Sequence, residues 1–333
     1  MKTYKKLDFD FVCDSLAEPK NTLILFHTRP DGDAVGSAFG LKLLLEAAGS
    51  RVWCVCTNEV PQRLNFLSEG IQESALPTSI PSDFEVERIL TVDTASPSQL
   101  GDLWERFGDK IDMMIDHHGK GEPYADYLVL SNVAAAAEIV FDLSRTFLAR
   151  GVIKAIPPKM DFCLYAAISS DTGCFKYSNV TPQTHIRSAE LLNSGIDTAR
   201  INQLLFDSKS MEVLAVEKAG FETLKMFHGG KIAVVFFTYE MKQKLGVLDE
   251  HLETLIDVAR SVEGVEVAVA VRQPGPDKVF RVSTRSSCHV DVSVVCTYFG
   301  GGGHVRASGC TIIADSIQHV ADLVVMQIEK QMR

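Results

Sequence analysis

At 333 residues, with 43 acidic against 33 basic side chains and a formal net charge of −10, the chain has length enough for two domains and too much acid to hold long nucleic acid by charge alone. No apolar run approaches the ~20 residues needed to cross a bilayer. The start, MKTYKKLDFDFVCDSLAE, lacks the continuous apolar core of a secretory leader. Eight cysteines without a CxxC pair read as reduced, buried thiols, so the expected compartment is the cytoplasm.

In chain order, TLILFHT (22–28) predicts a strand and VGSAFGLKLLLEAAG (35–49) a helix stopped at Gly49. RVWCVC (51–56), RILTVD (88–93) and IDMMIDHH (111–118) repeat the strand signal, and residues 134–151 and 160–173 predict buried helices. Strands alternating with helices imply an α/β fold with a doubly wound parallel sheet. Around residues 195–215 the pattern turns polar, and the connection between domains is placed there, on a linking helix. Beyond it, strands over 231–238, 264–273 and 278–286 and helices over 211–227, 251–261 and 316–332 predict a second, smaller α/β domain. The expected division is 1–195, a connector over 196–215, and 216–333.

The chemistry gathers where elements end. Between the first strand and first helix lies His27-Thr28-Arg29-Pro30-Asp31-Gly32-Asp33, at the carboxyl end of a parallel strand, where open α/β sheets bind ligands. Pro30 and Gly32 force a tight turn, so His27, Asp31 and Asp33 can converge as donors for a hard or borderline dication. An aspartate-capped helix start is the simpler alternative. Asp93 follows one strand, Asp116-His117-His118 ends another, and Asp171 follows a long apolar helix in SSDTGCF. So many carboxylates in one crevice would be electrostatically costly without cations. In the second half, VSTRSS (282–287) clusters Thr284, Arg285 and Ser286. TYFGGGGHVRASG sets Gly300, Gly301, Gly302 and Gly303 before His304 and Arg306. Such glycines suit close approach to a ligand or to another backbone, and with these cations they predict anion recognition; a flexible hinge is the alternative.

Taken in order, HTRPDGDAVGS, VDTA, DHH and SDTG, then the Arg-Ser strand end and the GGGH turn, resemble the DHH phosphoesterase superfamily with its DHH-associated C-terminal domain. The resemblance implies two divalent metal ions, Mn²⁺ with Mg²⁺ or Co²⁺ as alternatives. His27, Asp31 and Asp93 would hold one ion, and Asp33, Asp93, His117 and Asp171 the other, with Asp93 bridging. Asp93 and His118 would carry catalysis, His118 either by facing the substrate or by orienting its ligand partner, and Asp116 would support the loop or a neighbouring histidine. Arg285, Ser286, His304, Arg306, Gly302 and Gly303 would grip the substrate across an active-site cleft between the domains.

Chain size and the GGGH turn make the compact nanoRNase/pAp phosphatase group the expected relatives. The implied activity is hydrolysis of short oligoribonucleotides to mononucleotides, of 3′-phosphoadenosine 5′-phosphate to AMP, or of both. A pyrophosphate or polyphosphate hydrolase with the same metals is the rival. A non-catalytic binding module is disfavoured because every expected ligand position is filled. Expected partners are short single-stranded RNA or a nucleotide, not long duplex nucleic acid and not a membrane. A homodimer is a plausible assembly for which the sequence marks no interface, and Phe175, Tyr177 and Tyr298 stand equal as residues on which a base would stack.

Overall fold

Short runs rich in Leu, Ile, Val and Cys form the strands β1 (Thr22–Leu25), β2 (Val52–Val55), β3 (Arg88–Val92), β4 (Met113–Asp116) and β5 (Asp126–Val129). They make one parallel sheet in the order β2-β1-β3-β4-β5. From β1 the chain steps to β2 on one side and then crosses to β3 on the other. The carboxyl ends of β1 and β3 therefore flank the switch point at which such sheets leave a crevice. The computed structural model describes residues 3–119 and 121–332, and the chain divides into two units, Met1–Ser208 and Lys209–Arg333.

Alternation along the strands serves two cores. Ile24, Leu90, Met113 and Ile115 face a layer of helices Phe9–Ala17, Gly32–Ala47, Ala136–Ala149 and Met160–Asp171. Leu23, Leu25, Ile89 and Met114 face the opposite side, with Leu103 and Phe107 of the short helix Asp102–Phe107. The first layer is pinned by a glycine stripe. A Cβ on Gly36 would lie 2.6 Å from the Cys163 carbonyl oxygen and 2.7 Å from Ala167 Cβ, and one on Gly32 only 2.5 Å from Ser170 Cβ. Gly32–Ala47 and Met160–Asp171 thus touch backbone to backbone, which brings Asp31 and Asp33 beside Asp171.

The second unit holds β6 (Lys225–Phe227), β7 (Ile232–Phe237), β8 (Val267–Arg272), β9 (Val279–Ser286), β10 (Gly302–His304) and β11 (Ala307–Ile313). The mixed sheet runs β10-β11-β9-β8-β7-β6, with β7 and β8 parallel and the other pairs antiparallel. Helices Val292–Tyr298 and Ile317–Glu329 cover one face, Met211–Thr223 and Leu255–Arg260 the other.

Several expectations need correction. The helix expected over 211–227 stops at Thr223, and Lys225–Phe227 pairs with β7 as an edge strand. Left-handed backbone at His228, Gly229 and Gly230 (φ 49°, 60° and 89°) reverses the chain into that hairpin, which amphipathic periodicity alone does not reveal. The helix expected over 251–261 is a 3₁₀ turn, Asp249–Leu252, followed by Leu255–Arg260. The connector region holds the helix Thr198–Asn202 and a single π turn over Gln203–Asp207. Among the described residues no helix is long and apolar enough to cross a membrane.

Candidate metal centre

Four chain segments deliver carboxylates and imidazoles to the carboxyl ends of β1, β3 and β4. Asp31 caps Gly32–Ala47, its Oδ1 accepting from the backbone N–H of Asp33 and Ala34 at 3.0 Å each. The simple capping role is therefore real, and it also fixes where the carboxylate points. His27 binds the Thr28 carbonyl through Nδ1 at 2.9 Å, which leaves Nε2 3.7 Å from Asp31 Oδ1 and 3.6 Å from Asp93 Oδ2. Asp33 is buried at the start of Ala136–Ala149, where it accepts from Ala136 N (2.6 Å), Ala137 N (3.1 Å) and Ser37 Oγ (2.7 Å). A helix N-terminus is a favourable seat for that charge.

Asp93 lies at the middle. Its backbone is left-handed (φ 54°), a conformation costing roughly 1–3 kcal/mol in a non-glycine residue and concentrated at functional sites. His117 Nε2 sits 3.5 Å from Asp93 Oδ1, 3.8 Å from Asp33 Oδ2 and 3.8 Å from Asp171 Oδ2. His118 Nδ1 binds Asp116 Oδ1 at 2.8 Å and lies 3.7 Å from Asp93 Oδ1. Asp116, itself buried, thus orients the second histidine. Beyond Asp171, Gly173, Cys174 and Phe175 are all left-handed (φ 55°, 58° and 60°), and the Phe175 ring stacks on His185 at 5.4 Å.

These donors fit metal ions. Asp93 Oδ1 is buried and has no hydrogen bond. Its neighbours stand beyond hydrogen-bond reach but within the ~4.2 Å that two ~2.1 Å metal–ligand bonds can span. Three overlapping groups could each hold an ion: His27, Asp31 and Asp93; Asp33, His117 and Asp171; and Asp93, His117 and His118. Without cations the charges distort one another. Burial and the Asp93 and Asp171 charges raise the Asp33 carboxyl well above its ordinary range. Burial, with Asp31 and Asp93, pushes Asp171 up to about 7. Burial disfavours the His117 cation, but Asp93, 3.5 Å away, and the Asp33 and Asp171 carboxylates outweigh it, taking the ring to about 11.

In the second unit a separate cluster forms. The strand register puts Arg285 opposite Ala307, and Ala307 opposite His304, in one row across β9, β11 and β10. Ser286 Oγ donates to the Val290 carbonyl at 2.6 Å, and Arg306 Nη1 donates to the same oxygen at 3.0 Å. Both therefore brace the turn after β9. Gly302 and Gly303 belong to the β10–β11 hairpin. A Cβ on Gly303 (φ 140°) would lie 2.6 Å from the Ala307 carbonyl oxygen, so close backbone approach accounts for that glycine. Ser37, which donates to Asp33, was missed from sequence; its place one helical turn after Asp33 was the available signal.

Comparison with known proteins meets this geometry. The family "DHH family, N-terminal domain" matches residues 21–168, and the "DHHA1 domain" matches 229–330. The chain belongs to the DHH phosphoesterase superfamily. Within it, the chain is 28% identical to the bifunctional oligoribonuclease and PAP phosphatase NrnA of Thermus thermophilus, over 93% of this chain and 89% of that protein. It is 27% identical to the NrnA of Bacillus subtilis, over 88% and 90% of the two chains. An exopolyphosphatase-related protein from Bacteroides fragilis shares the fold, with a TM-score of 0.85 at 22% identity, over 97% of this chain and 95% of that one.

Proposed function

We propose that this chain hydrolyses short oligoribonucleotides to mononucleotides, 3′-phosphoadenosine 5′-phosphate to AMP, or both, at a centre of two divalent ions, Mn²⁺ foremost. The observation that carries the reading is Asp93, left-handed, buried and unpaired at Oδ1, standing between His27 and Asp31 on one side and Asp33, His117 and Asp171 on the other. Near full-length similarity to proteins named for both activities supports the substrate class.

His27, Asp31 and Asp93 would hold one ion, and Asp33, Asp93, His117 and Asp171 the other. The chemistry such a pair supplies is neutralisation of phosphoryl charge and acidification of water. The chain's own groups do the rest. Asp93 and Asp33 enter without reorganisation, one locked by its backbone and the other by a helix N-terminus. Asp116 holds His118 by Nδ1 and so orients the ring that would meet the substrate and keep a proton near the leaving oxygen. Burial works against the His118 cation, but the Asp116 bond and charge, with Asp93, raise it above its ordinary value. Arg285, Ser286, His304 and Arg306, with the backbone of Gly302 and Gly303, would bind the substrate phosphates and nucleotide. All eight cysteines are unpaired thiols, which supports a reducing, cytoplasmic setting.

The test is product analysis with Mn²⁺-loaded protein and a mixture of 5′-phosphorylated RNA dinucleotide, 3′-phosphoadenosine 5′-phosphate and pyrophosphate. Conversion of either nucleotide with pyrophosphate left intact is expected. Preferential loss of pyrophosphate would overturn the substrate assignment, and no turnover of any of the three would overturn the enzymatic one.

A further inference from the structure

We infer that Asn179 is a positioning residue for one of the two metal subsites, the one built from Asp33, His117 and Asp171, and that the His27 and Asp31 side does not depend on it. The inference rests on the two-ion reading above.

Asn179 lies eight residues past Asp171, beyond the left-handed turn, and its side-chain amide points back into that subsite. Nδ2 donates to the Ala134 carbonyl at 3.1 Å and to the Asp171 carbonyl at 3.1 Å, and stands 3.5 Å from Asp171 Oδ2. Two carbonyl partners require the nitrogen, not the oxygen, to face them. Oδ1 is then left buried without a hydrogen bond. A folded protein seldom tolerates such an orphan without a return elsewhere.

That return is visible in what the two carbonyls belong to. Ala134 begins the turn that leads into Ala136–Ala149, and its own N–H donates to Glu138 Oε1 at 3.0 Å. The Ala134 residue is therefore held at both its N–H and its carbonyl, and two residues on the same backbone supplies the N–H groups of Ala136 and Ala137 that seat Asp33. The other carbonyl belongs to Asp171 itself. One amide thus ties the loop that seats one candidate ligand to the backbone of a second. Neither hydrogen bond reaches the loop carrying His27 and Asp31. Residues that orient ligands in this way change metal affinity by about 10–100-fold when removed.

The test is Mn²⁺ binding, followed through the electron paramagnetic resonance signal of free Mn²⁺, to wild type, Asn179→Ala and Asn179→Leu. Leu keeps the branched shape without the donor, so it covers the case in which Ala leaves a disruptive cavity. Asp171→Asn and Asp31→Asn mark what losing a ligand from each subsite looks like. Wild type should bind two ions. Both Asn179 variants should keep one affinity and lose about 10–100-fold in the other, following the Asp171→Asn pattern, with unfolding temperatures of the metal-free proteins near wild type. Two unchanged affinities, or two equally weakened ones, would overturn the role. Wild type binding fewer than two ions would instead overturn the two-ion reading, and this inference with it.

Discussion

Gly32→Ala isolates the contact that sets the distance between the Asp31–Asp33 turn and Asp171. The new Cβ would sit 2.5 Å from Ser170 Cβ, whereas carbon atoms settle at about 3.5–4.0 Å, so the two helices must part by roughly 1 Å. Overpacking of this kind costs about 1–3 kcal/mol. Alanine returns up to about 1 kcal/mol of helix propensity. The net loss of about 0–2 kcal/mol should lower the unfolding temperature of a unit this size by no more than ~8 °C. Activity should suffer far more, because a misplacement of ~1 Å at reacting groups can cost about 10²-fold. The assay is Mn²⁺-supported hydrolysis of a 5′-phosphorylated RNA dinucleotide beside a thermal melt. Adding Ser170→Gly removes the opposing Cβ and should recover turnover even though glycine near a helix end adds no stability. Wild-type turnover in the single variant, or a loss that Ser170→Gly leaves untouched, would refute the argument that this contact spaces the ligands.

Other consequences can be measured on the same protein. In the metal-free chain His117 (about 11) holds a proton at neutral pH and Asp171 (about 7) holds one part of the time, protons that ions must displace, and the Asp33 carboxyl is raised in the same direction. Mn²⁺ loading should therefore release protons and tighten from pH 6 to 8; calorimetric heats that do not change between buffers of different ionisation enthalpy would contradict this. Because the Asp171 carboxyl titrates above its ordinary value of 3.8 when folded, its ionisation costs stability progressively as pH rises through that interval. Metal-free Asp171→Asn should thus melt higher than wild type at pH 8 while binding one ion weakly, and a lower melting temperature would count against the crowding. Arg285→Ala should raise KM by at least about 10-fold, as expected for a lost charged phosphate contact, with Mn²⁺ stoichiometry unchanged; loss of an ion would show that the residue is misplaced.

The parts legible in the sequence share a local signature. Strand β1 and the aspartates after it, the VDTA and DHH strand ends, and the helices over 136–149 and 160–171 each announce themselves within a dozen residues. Longer-range relations do not. Strand β5 is only half-buried on its outer positions and shows no apolar run. Hairpin β10–β11 begins inside a glycine run that periodicity cannot assign. Asn179 and Ser37 act through backbone and carboxylate partners on other segments or one turn away, and a polar side chain in a polar stretch carries no mark of its partner. The stripe of Gly32 and Gly36 was visible as letters, but its meaning lay in Ser170, Cys163 and Ala167, more than a hundred positions later.

The parallel sheet has a consequence for how the protein comes into being. Its five strands pair as β2-β1-β3-β4-β5, so the donors from His27 to Asp171 emerge over a long stretch of synthesis before they can meet. A nascent chain ending before Met160–Asp171 has the aspartates of its first loop but not the helix against which Gly32 and Gly36 close. Parallel pairings across such separations form late, since their loop-closure entropy precedes any gain from contact. The centre is complete only once Met160–Asp171 has joined the earlier elements, and a divalent cation seated there would favour the finished unit over any state in which those donors are apart.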